Sequence, residues 1–263
     1  SHLIKPNVKH IWSSYQKAIF KEIAKGTEHC IVIARAGSSK TTALVEGARY
    51  LPKGKKSLFC AFNKHIQEEL RSKLGSYVEC ATLHSLGFRA IKQRFGNVEL
   101  DNNKCWSIVE NLLGKQKESH DLIENIVKAV DLCKATLTDI PSKIDELICK
   151  YDIDLCEENS ENFIKYVVQA LRACKEKTNI IDFNDMIYFP FVYRLNVGKH
   201  DVVFLDEAQD LNVSQIEMAI SAVKPGGRLI AVLDPRQAIY SWRGADTQVL
   251  DNLKNRLSPK ELT

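Results

Sequence analysis

HCIVIARAGSSKTT, residues 29–42, joins a short apolar β-rich run to a loop with a single glycine and then to a helical segment reaching about Tyr50. A strand feeding a helix through such a loop turns backbone N–H groups outward above the strand's end. The pattern repeats. LFCAF (57–61) leads into NKHIQEELRSKL (63–74), and YVECA (77–81) leads into a helical stretch near 84–94. Repeated strand–helix units predict a parallel sheet covered by helices. Upstream, IWSSYQKAIFKEIAK (11–25) has the spacing of an amphipathic helix.

Further along, the character changes. Residues 103–178 hold helical periodicities (WSIVENLLG, HDLIENIVKAVDLC, IDELICKY, ENFIKYVVQALRACK) and few convincing strands. After about 181 the α/β pattern resumes with DVVFLDE (201–207), a helix near 213–223 and RLIAVLD (228–234). The simplest organisation is one α/β unit over 1–92 and 180–263, interrupted by a helical insertion over 93–179. A structureless loop of that length inside a domain is improbable.

Composition narrows the class. At 263 residues, 44% hydrophobic and 27% charged, the chain reads as an ordinary globular protein. No apolar run approaches the roughly 18 residues needed to span a bilayer, and neither a signal-peptide nor a collagen-like pattern is present. Ser1-His2, in place of a methionine, reads as a cleavage scar. The eight cysteines are scattered without a C-x-x-C pair, so they are expected as free thiols in a reducing cytoplasm or nucleus. Charge is uneven: residues 1–100 carry +10, residues 101–180 carry −4, and residues 181–263 carry −2. The basic first segment suits an anionic partner, a nucleotide or a nucleic acid.

The chemistry concentrates in three places. A phosphate-binding loop needs curled backbone N–H groups, a lysine for the β/γ-phosphates and a hydroxyl for Mg²⁺. Ala34-Arg35-Ala36-Gly37-Ser38-Ser39-Lys40-Thr41 supplies these types, although Ala34 and Ser39 stand where the strict pattern has glycine. The apolar run Val202–Leu205 ends in Asp206-Glu207-Ala208-Gln209-Asp210, bringing one carboxylate for a cation and a second to take a proton from water. The stretch from Asp234 to Ala245 then puts Gln237, two aromatics (Tyr240 and Trp242) and two arginines into one connection. Aromatics stack on bases and arginines hold phosphates. Read singly, each has an ordinary alternative: a surface turn, a buried strand running into a polar turn, core aromatics.

Taken in order, the segments resemble the superfamily 1 DNA helicases of the UvrD/Rep-like type, near phage and F-box helicase relatives. YQKAI around Gln16 resembles the adenine-reading Q motif, ARAGSSKT motif I and AFNK (61–64) motif Ia. ATLHSLGF (81–88) resembles motif Ib, DEAQD (206–210) motif II and DPRQAIYSWRGA (234–245) motif III; DFNDMI (182–187) is similar to a segment these helicases carry before motif II. The resemblance implies a RecA-like P-loop fold, with the insertion as subdomain 1B, and a cofactor pair of ATP and Mg²⁺. By the same resemblance, nucleotide contacts fall on Gln16, Ala36, Gly37, Ser38, Ser39, Lys40, Thr41 and Thr42. Mg²⁺ falls on Thr41 and Asp206; Glu207, Lys40 and Gln237 are the catalytic set. Single-stranded DNA falls on Asn63, Lys64, Thr82, His84, Tyr240, Trp242 and Arg243, the last three sharing with Gln237 a connection that senses both ligands.

Function follows as an expectation: ATP-dependent 3′→5′ translocation on single strands and unwinding at single-/double-strand junctions, without membrane involvement. Ser39 replaces the glycine usual before the lysine; if that position needs positive φ, the cost is roughly 1–2 kcal/mol. Motifs IV to VI, on a second RecA-like domain, are not among these residues. Without that domain's arginines, the 263 residues are expected to bind nucleotide weakly and hydrolyse it slowly. Rival readings are a nucleotide-dependent regulatory module, a small-molecule kinase and the motor part of a helicase–nuclease.

Overall fold

The structure is a computed structural model that describes residues 11–33, 40–61, 64–74, 76, 78–115, 119–234, 236 and 249–263, without the side chains of Lys40 and Thr41. Helix α1 (Ser14–Lys25) precedes strand β1 (Cys30–Ile33) and helix α2 (Lys40–Ala48). Strand β2 (Ser57–Ala61), α3 (Lys64–Leu74), β3 (Glu79–Thr82) and α4 (Leu83–Phe95) follow. Next come β4 (Glu99–Leu100), α5 (Lys104–Leu113), α6 (His120–Thr136), α7 (Pro141–Lys150), α8 (Ser160–Glu176) and β5 (Ile180–Ile181). The chain returns through α9 (Asp185–Val192), β6 (His200–Leu205), a 3₁₀ turn at Ala208–Asp210, α10 (Val213–Ser221) and β7 (Val223–Leu233). Helix α11 (Val249–Leu257) and β8 (Lys260–Leu262) are last.

The architecture is α/β. Six strands form one sheet in the order β3-β2-β6-β7-β1-β8, with parallel pairings throughout. Both faces are buried, which is why its strands read as continuous apolar runs rather than as alternating ones. Side chains still alternate between two cores. Val32, Phe59, Phe204 and Val232 join α1, α2 and α3 on one face. Ile31, Leu58, Val203 and Ala231 join α4, α9, α10 and α11 on the other. A third core, around Ile126, Phe163, Val167 and Phe189, belongs to α5–α9.

Several boundaries move relative to the sequence reading. The first helix begins at Ser14 rather than at residue 11, because Ser13 and Gln16 form a capping box there. The third strand is Glu79–Thr82, displaced toward the C-terminus, and β7 starts at Val223, ahead of the expected 228. Two residues on each side of the helical stretch pair as β4 and β5, too short to show as a periodic pattern. The final residues, given no element in the sequence reading, pair with β1 as the sheet's outer strand. Arg228 breaks the apolar run of β7 yet is buried: it donates to the Glu22 carboxylate and to the carbonyls of Glu22 and Glu28.

Candidate functional site

With the sheet parallel throughout, the residues after β1, β2, β3, β6 and β7 all emerge at one edge. Open parallel sheets bind ligands at this edge, where successive connections part to opposite sides. Such a parting occurs at β1. Its chain continues to β2, three strands away, while β8 lies on its other side.

Residues 34–39, which include Ala36, Gly37, Ser38 and Ser39, lie outside the described residues. Helix α2 opens directly after them at Lys40, with no acidic residue in its first turn and Thr42 exposed on it. The positive end of its dipole and the N–H groups of its first turn are suited to an anion. Helix α1 is tied to the same place, since the Tyr15 hydroxyl donates to the Ile33 carbonyl at 2.8 Å. Gln16, expected to read a base, has a structural task as well. Its Oε1 accepts from the Ser13 N–H at 2.9 Å, completing the capping box and leaving the amide N–H₂ as donor.

Two strands from β1, β6 ends in the carboxylates. Asp206 is buried, and its Oδ1 accepts the Glu207 N–H at 2.9 Å. Glu207 has φ of 52°, a left-handed conformation that costs a non-glycine residue about 1–3 kcal/mol and clusters at functional sites. Its carboxylate accepts a hydrogen bond from Gln209 Nε2. Buried Gln209 reaches the other way too: its Oε1 accepts from the Asp234 N–H, 3.1 Å away at the end of β7. Asp234 Oδ1 in turn accepts the Arg236 N–H at 3.0 Å. One amide therefore joins the carboxylate strand to the connection that opens at Asp234. Sequence reading gave Gln209 no role, since a glutamine beside two acids looks like part of a polar turn. Gln237, Tyr240, Trp242 and Arg243, in that connection, lie outside the described residues.

The donors suit Mg²⁺, a hard cation that takes few protein oxygens and keeps the rest for water and phosphate. Asp206 offers a buried carboxylate at the sheet edge from which the chain leads toward the helix that carries Thr41. The second carboxylate, on Glu207, is partly exposed and met by a neutral amide.

At the sheet's other end, Thr82 closes β3 and caps α4, its Oγ1 accepting from the Ser85 N–H at 3.1 Å. His84 stacks on Phe183, with ring centroids 3.8 Å apart and planes 15° off parallel. Burial lowers the His84 pKa to about 4, so the ring is a neutral stacking surface at physiological pH. Phe183 is 54% exposed, unusual for so large an apolar ring. Sequence reading marked the DFNDMI segment without assigning Phe183. Lys64 is exposed at the start of α3, and Asn63 lies outside the described residues.

A sealed set of charges holds Phe183 in place. Lys104 Nζ bonds Asp185 Oδ2 at 2.7 Å and the carbonyls of Cys174 and Lys177. Lys134 Nζ meets Asp182 Oδ2 at 2.9 Å and Asp185 Oδ1 at 3.0 Å. Burial works against the Lys134 ammonium, but Asp185 and Asp182 outweigh it and hold its pKa well above the ordinary value. The Asp182 carboxylate also accepts the Asp185 N–H at 2.7 Å and the Asp185 carboxylate the Asp182 N–H at 3.2 Å, which clamps the turn around Phe183. Gly87 lets that turn approach α4: a Cβ there would lie 1.7 Å from the Met186 carbonyl oxygen.

No described helix is long and apolar enough to cross a membrane, and all eight cysteines are free. The family model of the UvrD/REP helicase N-terminal domain matches residues 15–258. The ATP-dependent DNA helicase Rep of Buchnera aphidicola subsp. Acyrthosiphon pisum is 27% identical, over 86% of this chain and 38% of that protein. F-box DNA helicase protein 1 of Schizosaccharomyces pombe is 25% identical, over 92% of this chain and 29% of that protein. Rep of Escherichia coli K12 is 23% identical, over 85% and 36%. The chain thus spans well under half the length of these relatives.

Proposed function

The chain belongs to the UvrD/REP helicase family, and on that premise we propose that it is the ATP-binding part of a motor that moves 3′→5′ along single-stranded DNA and opens duplex at junctions. One juxtaposition carries the reading: Asp206–Glu207 and the His84–Phe183 stack lie on one edge of a parallel sheet, separated by two strand spacings. That is about 10 Å.

In this reading the N-terminus of α2 receives the phosphates. Ala36, Gly37, Ser38, Ser39 and Thr42 offer polar contacts, Lys40 neutralises β/γ charge, and Gln16 turns its free amide donors to the adenine ring. Thr41 and Asp206 hold Mg²⁺, which when bound offsets phosphate charge during transfer. Glu207 orients the attacking water and accepts its proton, kept in line by the Gln209 amide. Gln209 also transmits the position of Glu207 to Asp234, and so to the connection bearing Gln237, Tyr240, Trp242 and Arg243. A change at the phosphates thereby alters how bases stack on that connection. His84 and Phe183 add a second stacking surface, while Asn63, Lys64 and Thr82 meet the backbone.

Residues 1–92 with 180–263 serve as the RecA-like domain and 93–179 as a 1B-like insertion. A second RecA-like domain supplies the arginines that complete the site, so these 263 residues alone bind nucleotide weakly and hydrolyse it slowly. The free thiols suit a reducing intracellular location. The test is unwinding of 3′-tailed and 5′-tailed duplexes by the full-length protein with ATP. Opening of the 3′-tailed duplex alone is expected; opening of neither overturns the motor reading.

A further inference from the structure

Among the described residues, strand β3 is the outermost strand of the sheet and pairs only with β2. Such an edge exposes backbone donors and acceptors unless something covers them. Here a groove of about 720 Å³ runs along it between α3 and α4, from Ser85 beside the His84 turn to Ser76 at the far end. Its walls carry Gln67, Arg71 and Arg89. We propose that this groove is an additional nucleic-acid subsite, receiving the sugar–phosphate backbone of a single strand as it leaves the His84–Phe183 stack. The proposal rests on the DNA-motor reading above.

The occupant follows from what the edge has already spent. Gln67 Nε2 and Arg71 Nη2 both donate to the Cys80 carbonyl, at 3.1 and 3.3 Å. The central acceptor of the strand is taken, so an added peptide strand finds a broken ladder. Among the described residues the guanidinium groups are only partly used. Arg71 contributes one nitrogen to Cys80, and Arg89 one to Glu79 Oε1 at 2.9 Å, of five N–H donors each. Glu79 is pinned at both oxygens, the second meeting His200 Nε2 at 2.9 Å. It fixes Arg89 in place instead of competing for ligand donors.

Charge beyond the groove agrees. Helix α4 carries Arg89, Lys92 and Arg94 and no acidic residue, within a first hundred residues of net +10. Fixed guanidiniums along a groove that begins one residue from an aromatic stack combine the two features of sequence-independent single-strand binding. Ala81 and Ser85, which line the groove, flank Thr82 and His84 in the chain.

The experiment compares two oligo-dT strands on the full-length protein without nucleotide, one just long enough to bind (about 8 nucleotides) and one longer by about 4. The double variant Arg71→Gln/Arg89→Gln is expected to lose about tenfold in affinity for the longer strand and less than about twofold for the shorter. Its salt dependence for the longer strand should fall by about 1.4, the slope of two phosphate contacts at about 0.7 each. Ser76→Asp touches none of these bonds and adds repulsion at the far end; it should weaken the longer strand alone. Equal losses on both strands, or none on the longer, overturn the subsite. Absence of binding to either strand by the unaltered protein would instead sink the motor reading itself.

Discussion

Two pairs of carboxylates stand on either side of α9 and β6, one sealed among ammonium groups and the other ending a strand at the sheet edge. Asp182 and Asp185 are met by the ammonium groups of Lys104 and Lys134 and sealed from solvent. The Glu207 carboxylate is met by the amide of Gln209, and an Asp206 oxygen by a backbone N–H. Charge matched by charge in a dry interior fastens parts together. A carboxylate met by a neutral amide, as at Glu207, remains a place for a proton from water. The first pair holds the Phe183 turn to the helical layer; the second ends a strand at the sheet edge.

The largest expected effect tests the fastening. Lys134→Met leaves two buried carboxylates short of a cation and should cost about 3–5 kcal/mol in urea unfolding. Adding Asp182→Asn should return part of it. A loss below about 1 kcal/mol would mean that the sealed cluster does not hold the turn.

A pH series separates the stacked histidine from the charged pairs. Unfolded, His84 protonates near 6.5; folded, burial holds it to about 4. The stability it contributes is therefore complete above about 6.5 and lost as pH falls from there toward 4, by up to about 3 kcal/mol. His84→Phe should flatten the stability curve over that window. An equal slope in the variant would show that His84 is not the group responsible. DNA affinity should show no His84 step between about pH 5.5 and 8, because the ring stays neutral.

The smallest effect belongs to the exposed ring. Phe183→Ala should weaken single-strand affinity by about 1–3 kcal/mol while leaving unfolding nearly unchanged, since the ring is half in solvent. A stability loss with unchanged affinity would place Phe183 with the fastening rather than with the binding edge.

The same contrast explains what the sequence disclosed. Strands such as Ser57–Ala61 and His200–Leu205 were legible because a sheet buried on both faces writes itself as an unbroken apolar run. Asp206 and Glu207 were legible because they end such a run. Lys104 and Lys134 were not: on amphipathic helices a lysine reads as solvated, and their partners lie 81 and 48 positions away. Phe183 stayed hidden because its use depends on Gly87 admitting the turn against α4. The capping box at Ser13 and Gln16 could have been read, since serine followed three residues later by glutamine marks a helix start. Gln209 carried no such signal; its second partner lies 25 residues on, at the end of a neighbouring strand.

The most direct measurement is ATP hydrolysis by the full-length protein with and without single-stranded DNA, alongside Lys40→Ala and Glu207→Gln. DNA should stimulate turnover strongly, and Glu207→Gln should lower it by about 10²–10⁴ while nucleotide still binds. Lys40→Ala should abolish the stimulation. Nucleotide binding without DNA-stimulated turnover, or turnover indifferent to Glu207, would contradict a motor built on this sheet edge.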